Sequence, residues 1–483
     1  MESVLSVGAS FACLLLFVSV VYAVLLDPLR QIPGPFYARF TKLILTVYIL
    51  KGQRTQYIHG LHLKYGPIVR VTPHEVAIAD LDAFREIHRI GSGFQKAPWY
   101  LKFVTTPRPG MFAMTIPEEH AARRRIFAQG FANTSILQYE GIIRDKAELA
   151  VSKIQRDAEA GFADIFKWFT FMATDIAGHL SFGSSFDMLL QEQKTPYIRD
   201  LEITMKISGV RAELGWLIHF LGWFPLESLQ EALSLPGRLQ DYGMKAIENH
   251  KGRVLAGGGP PTSLFSKLLD PKQTHGLAME DISIEASNMI IAGSDTTSVS
   301  LTYLVWVLLR PQNTKIKERV LQEIERLPPN PRANDMMGSE YLKAVVNEAL
   351  RLYGAAPGSL PRVTPLPGAQ LSGYTIPGGT TVSTQAFSIH RDPAYFPDPE
   401  RFIPERWLDP TPKMKAAFHP FGAGSRVCIG MHLAMLELFT GLVVFFLNCP
   451  KARLSPDTTD ESMEFENYFL VAPKEHCCKI TLG

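Results

Sequence analysis

The decapeptide Phe421-Gly422-Ala423-Gly424-Ser425-Arg426-Val427-Cys428-Ile429-Gly430 holds a single cysteine among three glycines and runs directly into the apolar stretch 431–446. Glycine lets a chain fold tightly around a sulfur and aim amide N–H groups at it. The positive end of the helix that follows favours an anion at the same place. Arg426, two residues before the cysteine, supplies a cation of the kind that binds carboxylates. A loop of this composition is built to hold a thiolate. It fixes one junction of the fold, where a tight turn leads straight into an apolar helix.

The fixed positions of that loop, Phe421, Gly424, Arg426, Cys428 and Gly430, follow the pattern Phe-x-x-Gly-x-Arg-x-Cys-x-Gly. The segment resembles the haem-binding loop of the cytochrome P450 family, and the resemblance extends from about Ile32 to the end of the chain. It implies haem b with Cys428 as axial thiolate, the ligation that favours O–O bond cleavage. Phe421, Gly424 and Arg426 would then belong to the cofactor site.

Residues 281–309 contain no proline and read as one helix, with Asp281 at its N-cap or in its first turn. Met289, Ala292, Gly293, Thr296 and Ser300 share one face. A glycine in mid-helix costs about 1 kcal/mol relative to alanine, so Gly293 needs a reason. A small, slightly polar face suits a flat cofactor with room for a diatomic ligand. The run Ala292-Gly293-Ser294-Asp295-Thr296-Thr297 is similar to the oxygen-binding motif of the same family. The similarity implies that Ala292 lies at the haem, that Thr296 hydrogen-bonds dioxygen and its waters, and that Asp295 gates proton delivery.

Glu348 and Arg351 stand three apart on a helical face. In the family such a pair is buried with a second arginine, which the pattern Phe402-Ile403-Pro404-Glu405-Arg406-Trp407 identifies as Arg406 rather than the nearby Arg401. The haem propionates would be met by Arg426, by Arg362 and by the pair His120 and Arg124. Most relatives carry tryptophan where His120 stands, although imidazole can donate the same hydrogen bond. Arg123 and Arg125 read as a solvated basic face, or as part of a docking surface for an acidic redox partner together with Lys413 and Lys415.

The chain has 483 residues, 46% of them hydrophobic, and a net charge of +2, which gives no reason to propose nucleic acid as a partner. Five scattered cysteines form neither a disulfide framework nor a zinc pattern. Residues 3–26 carry no charge, enough to cross a bilayer, and basic residues follow. Residues 1–30 are therefore read as a single-pass membrane anchor, with the catalytic body, 31–483, expected on the cytosolic face of the endoplasmic reticulum. Ile32-Pro33-Gly34-Pro35 makes a stiff connector, 40–50 is a short apolar stretch, and the runs at 68–71 and 76–79 read as a β-hairpin. Long helical patterns follow, interrupted by the loop 257–261, and short β-type runs appear after residue 352. The expected fold is mainly α with small β-sheets, the cytochrome P450 fold behind one transmembrane helix.

The resemblance implies a microsomal-type haem-thiolate monooxygenase that inserts one atom of dioxygen into an apolar small molecule. No dinucleotide fingerprint is visible, so electrons would come from a separate NADPH-dependent cytochrome P450 reductase. The intact Asp295-Thr296 pair favours oxygen activation over the alternatives, an oxygen-independent haem-thiolate isomerase or dehydratase and a non-catalytic haem-binding protein. The segment 350–362 looks like that of filamentous-fungal secondary-metabolism members, which implies a polyketide, terpenoid, alkaloid or polyketide–peptide hybrid as substrate. Family geometry places the pocket at 103–112, 203–223, Met289, Ala292, 356–360 and 468–471.

Overall fold

The structure, a computed structural model, describes Leu14, Val18, Val20, Val21 and residues 25–483 apart from 105, 107, 222, 224–226, 256–262 and 266–275. Most of the expected anchor falls outside the described residues, and the loop expected at 257–261 does so wholly. Among the described residues one helix, Met431–Asn448, is long and apolar enough to cross a membrane. Two thirds of it is buried, and it is a core helix of the globular body.

The long helix Met279–Leu309 runs through the middle of the molecule, and every residue of its end from Leu301 to Leu309 is buried. Asp281 lies in its first turn, and Ala278 is its N-cap. Ile165–Phe182, itself capped by Asp164, lies along it and is buried on nearly every side. Gly293 has its reason here: a side chain at that position would press on Ala177 Cβ at 3.3 Å. Met431–Asn448 and Glu340–Tyr353 close the other flanks, and Glu140–Glu159 packs behind Met431–Asn448. These helices share one apolar core.

A second, smaller body is built on a five-stranded sheet in the order Ile68–Thr72, Glu75–Ile78, Thr381–Gln385, Ser359–Val363, Gln95–Lys96. The first two strands form the expected hairpin, with Ile68 opposite Ile78. Glu75–Ile78 then runs parallel to Thr381–Gln385, so residues more than 300 apart in sequence meet. The expected short apolar stretch becomes the helix Leu43–Leu50, which buries Leu45 and Ile49 and leaves Leu43, Val47 and Leu50 exposed.

Glu348 and Arg351 are completely buried, and their expected partner is the right one. Arg351 donates twice to Glu348 at 2.8 Å, and Arg406 Nε donates to the same carboxylate at 3.1 Å. Trp407 Nε1 and the Ile403 amide complete the shell around Glu348 at 2.9 Å. Arg401, the decoy, is exposed beside Asp398. A buried carboxylate so fully paired escapes the penalty of an isolated charge.

Candidate active site

Phe421 to Gly430 folds back on itself. The Cys428 amide donates to Phe421 O at 2.9 Å, and Val427 donates to Gly424 O across a single 3-10 turn. Gly422 and Gly424 have φ of +73° and +65°, the left-handed region that glycine enters without strain. At Gly424 the need is also spatial, since a Cβ would fall 1.9 Å from His88 O. The Gly430 amide donates to the cysteine sulfur. Burial pushes the Cys428 thiol up, with Gly430 and the Arg124 charge pulling the other way. Gly430 and Arg124 favour a thiolate, but burial outweighs them. A metal cation on the sulfur would supply the rest.

Cys428 is deep in the molecule, yet its side chain is open to a cavity of about 420 Å³. The same cavity is walled by the small face of Met279–Leu309: Met289, Ala292, Gly293, Thr296 and Ser300. Phe421, Arg426 and Arg362 also line it. Of the other expected site residues, Gly424, Asp295, His120 and Arg124 stand outside the wall. Thr296 Oγ1 donates to Ala292 O at 2.6 Å, the back-bond of an ordinary helical threonine. Burial, then the Glu202 charge, lifts the Asp295 carboxyl to about 7, with Lys194 opposing. Burial, then Arg426, Lys96, Arg124 and Arg362, lowers His120 to about 3, which leaves a neutral imidazole able to donate one hydrogen bond.

Lys96 escaped the sequence reading. It lies opposite Arg362 across two antiparallel strands, and both side chains are buried. Like charges placed opposite each other destabilise a sheet. Lys96 is further stacked on the rings of Tyr100 and Phe112 and donates to Phe112 O. Among the described residues Arg362 Nε has no hydrogen-bond partner. Arg426 donates to Met114 O at 2.8 Å and joins the other two at the cavity wall. Three cations, one of them with an orphaned guanidinium donor, call for an anion with several oxygens. The two propionates of a haem meet that demand, the apolar walls suit its macrocycle, and the open sulfur suits its iron. The residues present fit the group. A lysine on a two-residue strand far from any recognisable motif gave no signal; only the strand register brings it to Arg362.

Arg123 departs from the solvated face expected of it. Its side chain is only 11% exposed and pairs with Glu285 at 3.1 Å and Asp281 at 3.5 Å. The face of its helix that buries His120 turns Arg123 toward Met279–Leu309, while Arg125 stays exposed. Residues 103–112, 356–360 and 468–471 contribute to the cavity as expected, through Phe103, Val104, Phe112, Leu360, Phe469 and Leu470. Of the described part of 203–223 only Thr204 and Ser208 reach it. Leu180, Ser181, Leu239 and Gln240 complete the wall from helices that no motif marked.

Comparison with known proteins agrees with this geometry. The family model for cytochrome P450 matches residues 33–480. The chain is 40% identical to cytochrome P450 monooxygenase tazI of Aspergillus terreus over 97% of its length and 96% of that protein. It is 39% identical to cytochrome P450 monooxygenase stcB of Emericella nidulans, over 94% of this chain and 89% of that one. The crystal structure of the cytochrome P450DA heme domain superposes with a TM-score of 0.76 at 18% identity, covering 93% of this chain and 97% of that one, a likeness of fold. The chain belongs to the cytochrome P450 family and is a haem-thiolate monooxygenase.

Proposed function

We propose that Cys428 is the thiolate ligand of the haem iron, that Lys96, Arg124, Arg362 and Arg426, with His120 as a neutral donor, hold the propionates, and that Asp295 and Thr296 manage protons on the substrate side. One observation carries this: the Cys428 sulfur, the Thr296 turn and the Lys96–Arg362–Arg426 cluster all border one cavity. When bound, the haem supplies dioxygen activation and the insertion of one oxygen atom into a C–H or C=C bond. The chain's own part is positioning and proton control. The Thr296 hydroxyl, now spent on Ala292 O, can rotate to donate into the cavity. Asp295 ionises near neutral pH, so it can take and release a proton at little cost. Glu202, ion-paired with Lys194 at 2.7 Å and part-exposed, is the acid whose charge Asp295 feels and would connect it to solvent.

The substrate is a mostly apolar small molecule of fungal secondary metabolism, a polyketide, terpenoid, alkaloid or polyketide–peptide hybrid. The apolar lining and the resemblance at 350–362 support this. Electrons come from an NADPH-dependent flavoprotein reductase, and exposed Arg125, Lys413 and Lys415 would be part of its docking face. The body sits on the cytosolic face of the endoplasmic reticulum behind an N-terminal anchor. Exposed Phe36, Leu43, Val47 and Leu50 favour contact with a lipid surface beside that anchor.

Co-expression with such a reductase in a fungal host, under isotopically labelled dioxygen, should give a product carrying one labelled atom. With that substrate in hand, Thr296→Ala should lower product formed per NADPH by roughly tenfold. That is less than the full effect of a proton-transferring group, ~10²-fold or more, because water can partly replace the hydroxyl. The haem spectrum should be unchanged. Undiminished product yield per NADPH would remove Thr296 from the proton path.

A further inference from the structure

Glu285 is 1% exposed and belongs to no motif. It lies near the start of Met279–Leu309, one turn above Met289, and its carboxylate points away from its own helix. Oε1 accepts from the Met111 amide at 2.8 Å and from Arg123 Nη1 at 3.1 Å. Gly110 lies so close that a Cβ there would come within 2.2 Å of Asn288 and 3.4 Å of Glu285 Oε2. Arg123 is steadied in turn by Asp281, which also reaches Arg108 at 3.7 Å. Burial lifts the Glu285 carboxyl to about 7, against the pull of the Met111 amide and Arg123. The chain pays that desolvation at a point where one carboxylate joins three elements: the central helix, the helix Pro117–Ala128 and the segment 104–116.

The described residues of that segment, all but 105 and 107, have little regular structure of their own. The segment carries Thr106 and Phe112 to the cavity and continues Trp99–Phe103, which brings Tyr100 and Phe103 there. Phe112 packs edge-on against Tyr100 and against Phe469, which comes from the far end of the chain. An aromatic wall hung on a loop needs an anchor. We propose that Glu285 is a positioning residue for substrate selection: through Met111 and Arg123 it fastens segment 104–116 to the central helix and so sets where Phe112 stands over the substrate. It acts through the loop and touches neither substrate nor cofactor.

The test uses the full-length holoprotein, Glu285→Gln and Glu285→Ala, read by amide exchange and by azole titration. A hydrogen bond to a charged group is worth roughly 1.5–3 kcal/mol, so Glu285→Ala should speed exchange across 104–116 by about tenfold or more. Exchange in Ile165–Phe182 and Met431–Asn448 should not change. Glu285→Gln keeps an acceptor for Met111 and should show a smaller, equally local rise. 4-Phenylimidazole, large enough to meet the wall, should bind Glu285→Ala about fivefold more weakly, while imidazole stays within about twofold. Unchanged exchange at 104–116 in either variant, or equal weakening of both azoles, would overturn the proposal. The inference rests on the haem assignment only through the azoles. If imidazole gives no spectral shift in the unsubstituted protein, that assignment fails, and exchange alone decides the latch.

Discussion

At Cys428 three local facts meet: two left-handed glycines upstream, an amide donated by Gly430, and a sulfur open to a cavity. The first two are legible in the sequence because glycine spacing encodes backbone conformation directly. The third is not, since the cavity is assembled from segments hundreds of residues apart. The same division holds for charges. Arg362 and Arg426 sit in recognisable contexts. Lys96 becomes their neighbour only through strand register, and Arg123 looks solvated until Glu285 is known to face it. Sequence spacing reports what lies on one face of one element. It is silent about which buried group of another element waits opposite. His120, proposed to stand in for the more usual tryptophan, is held neutral by burial and by the cations around it.

Elements with strong internal periodicity were legible almost to the residue: the central helix was expected over 281–309 and spans Met279–Leu309. The hairpin at 68–78 and the Glu348–Arg351–Arg406 cluster also stand where expected. The parallel joint between Glu75–Ile78 and Thr381–Gln385 was not, because nothing local specifies a partner 300 residues away. The cluster itself joins Glu340–Tyr353 to the segment 390–407 through backbone carbonyls of His390, Pro399 and Arg401. Removing one partner leaves a buried charge uncompensated, at a cost of roughly 3–5 kcal/mol. Glu348→Ala strands two guanidinium groups at once. It should therefore be recovered with little or no haem and a melting temperature well below that of the unsubstituted protein. A normally haem-loaded Glu348→Ala protein of unchanged stability would show that the cluster does not hold this part of the fold.

Over the whole molecule, buried histidines set the response to acid. Burial lowers His62, His250 and His419 to about 4 and holds His390 well below the usual histidine range. His390 shows why: its Nδ1 bonds Arg351 O and its Nε2 accepts from the His419 amide, so a second ring proton has nowhere to go. Below about pH 6.5 the unfolded chain takes protons that these folded imidazoles refuse, and stability is lost as pH falls from there toward 4. Glu285 and Asp295, lifted to about 7, and the raised carboxyls of Asp164 and Glu437 bind protons earlier when folded and oppose the trend, but His59, His88, His120 and His179 are lowered as well, and the histidines outnumber the acids. Stability should fall on the order of 1–2 kcal/mol per pH unit between pH 6.5 and 5; a denaturation midpoint that is flat or rising on acidification would contradict this. Everything proposed for the site depends on one bond, from the Cys428 sulfur to haem iron. The reduced carbon monoxide complex of the purified protein tests it most directly. The unsubstituted chain should give the strongly red-shifted Soret band of a thiolate ligand, and Cys428→Ser should lose that band. Survival of the band in Cys428→Ser, or its absence from the unsubstituted holoprotein, would contradict the assignment.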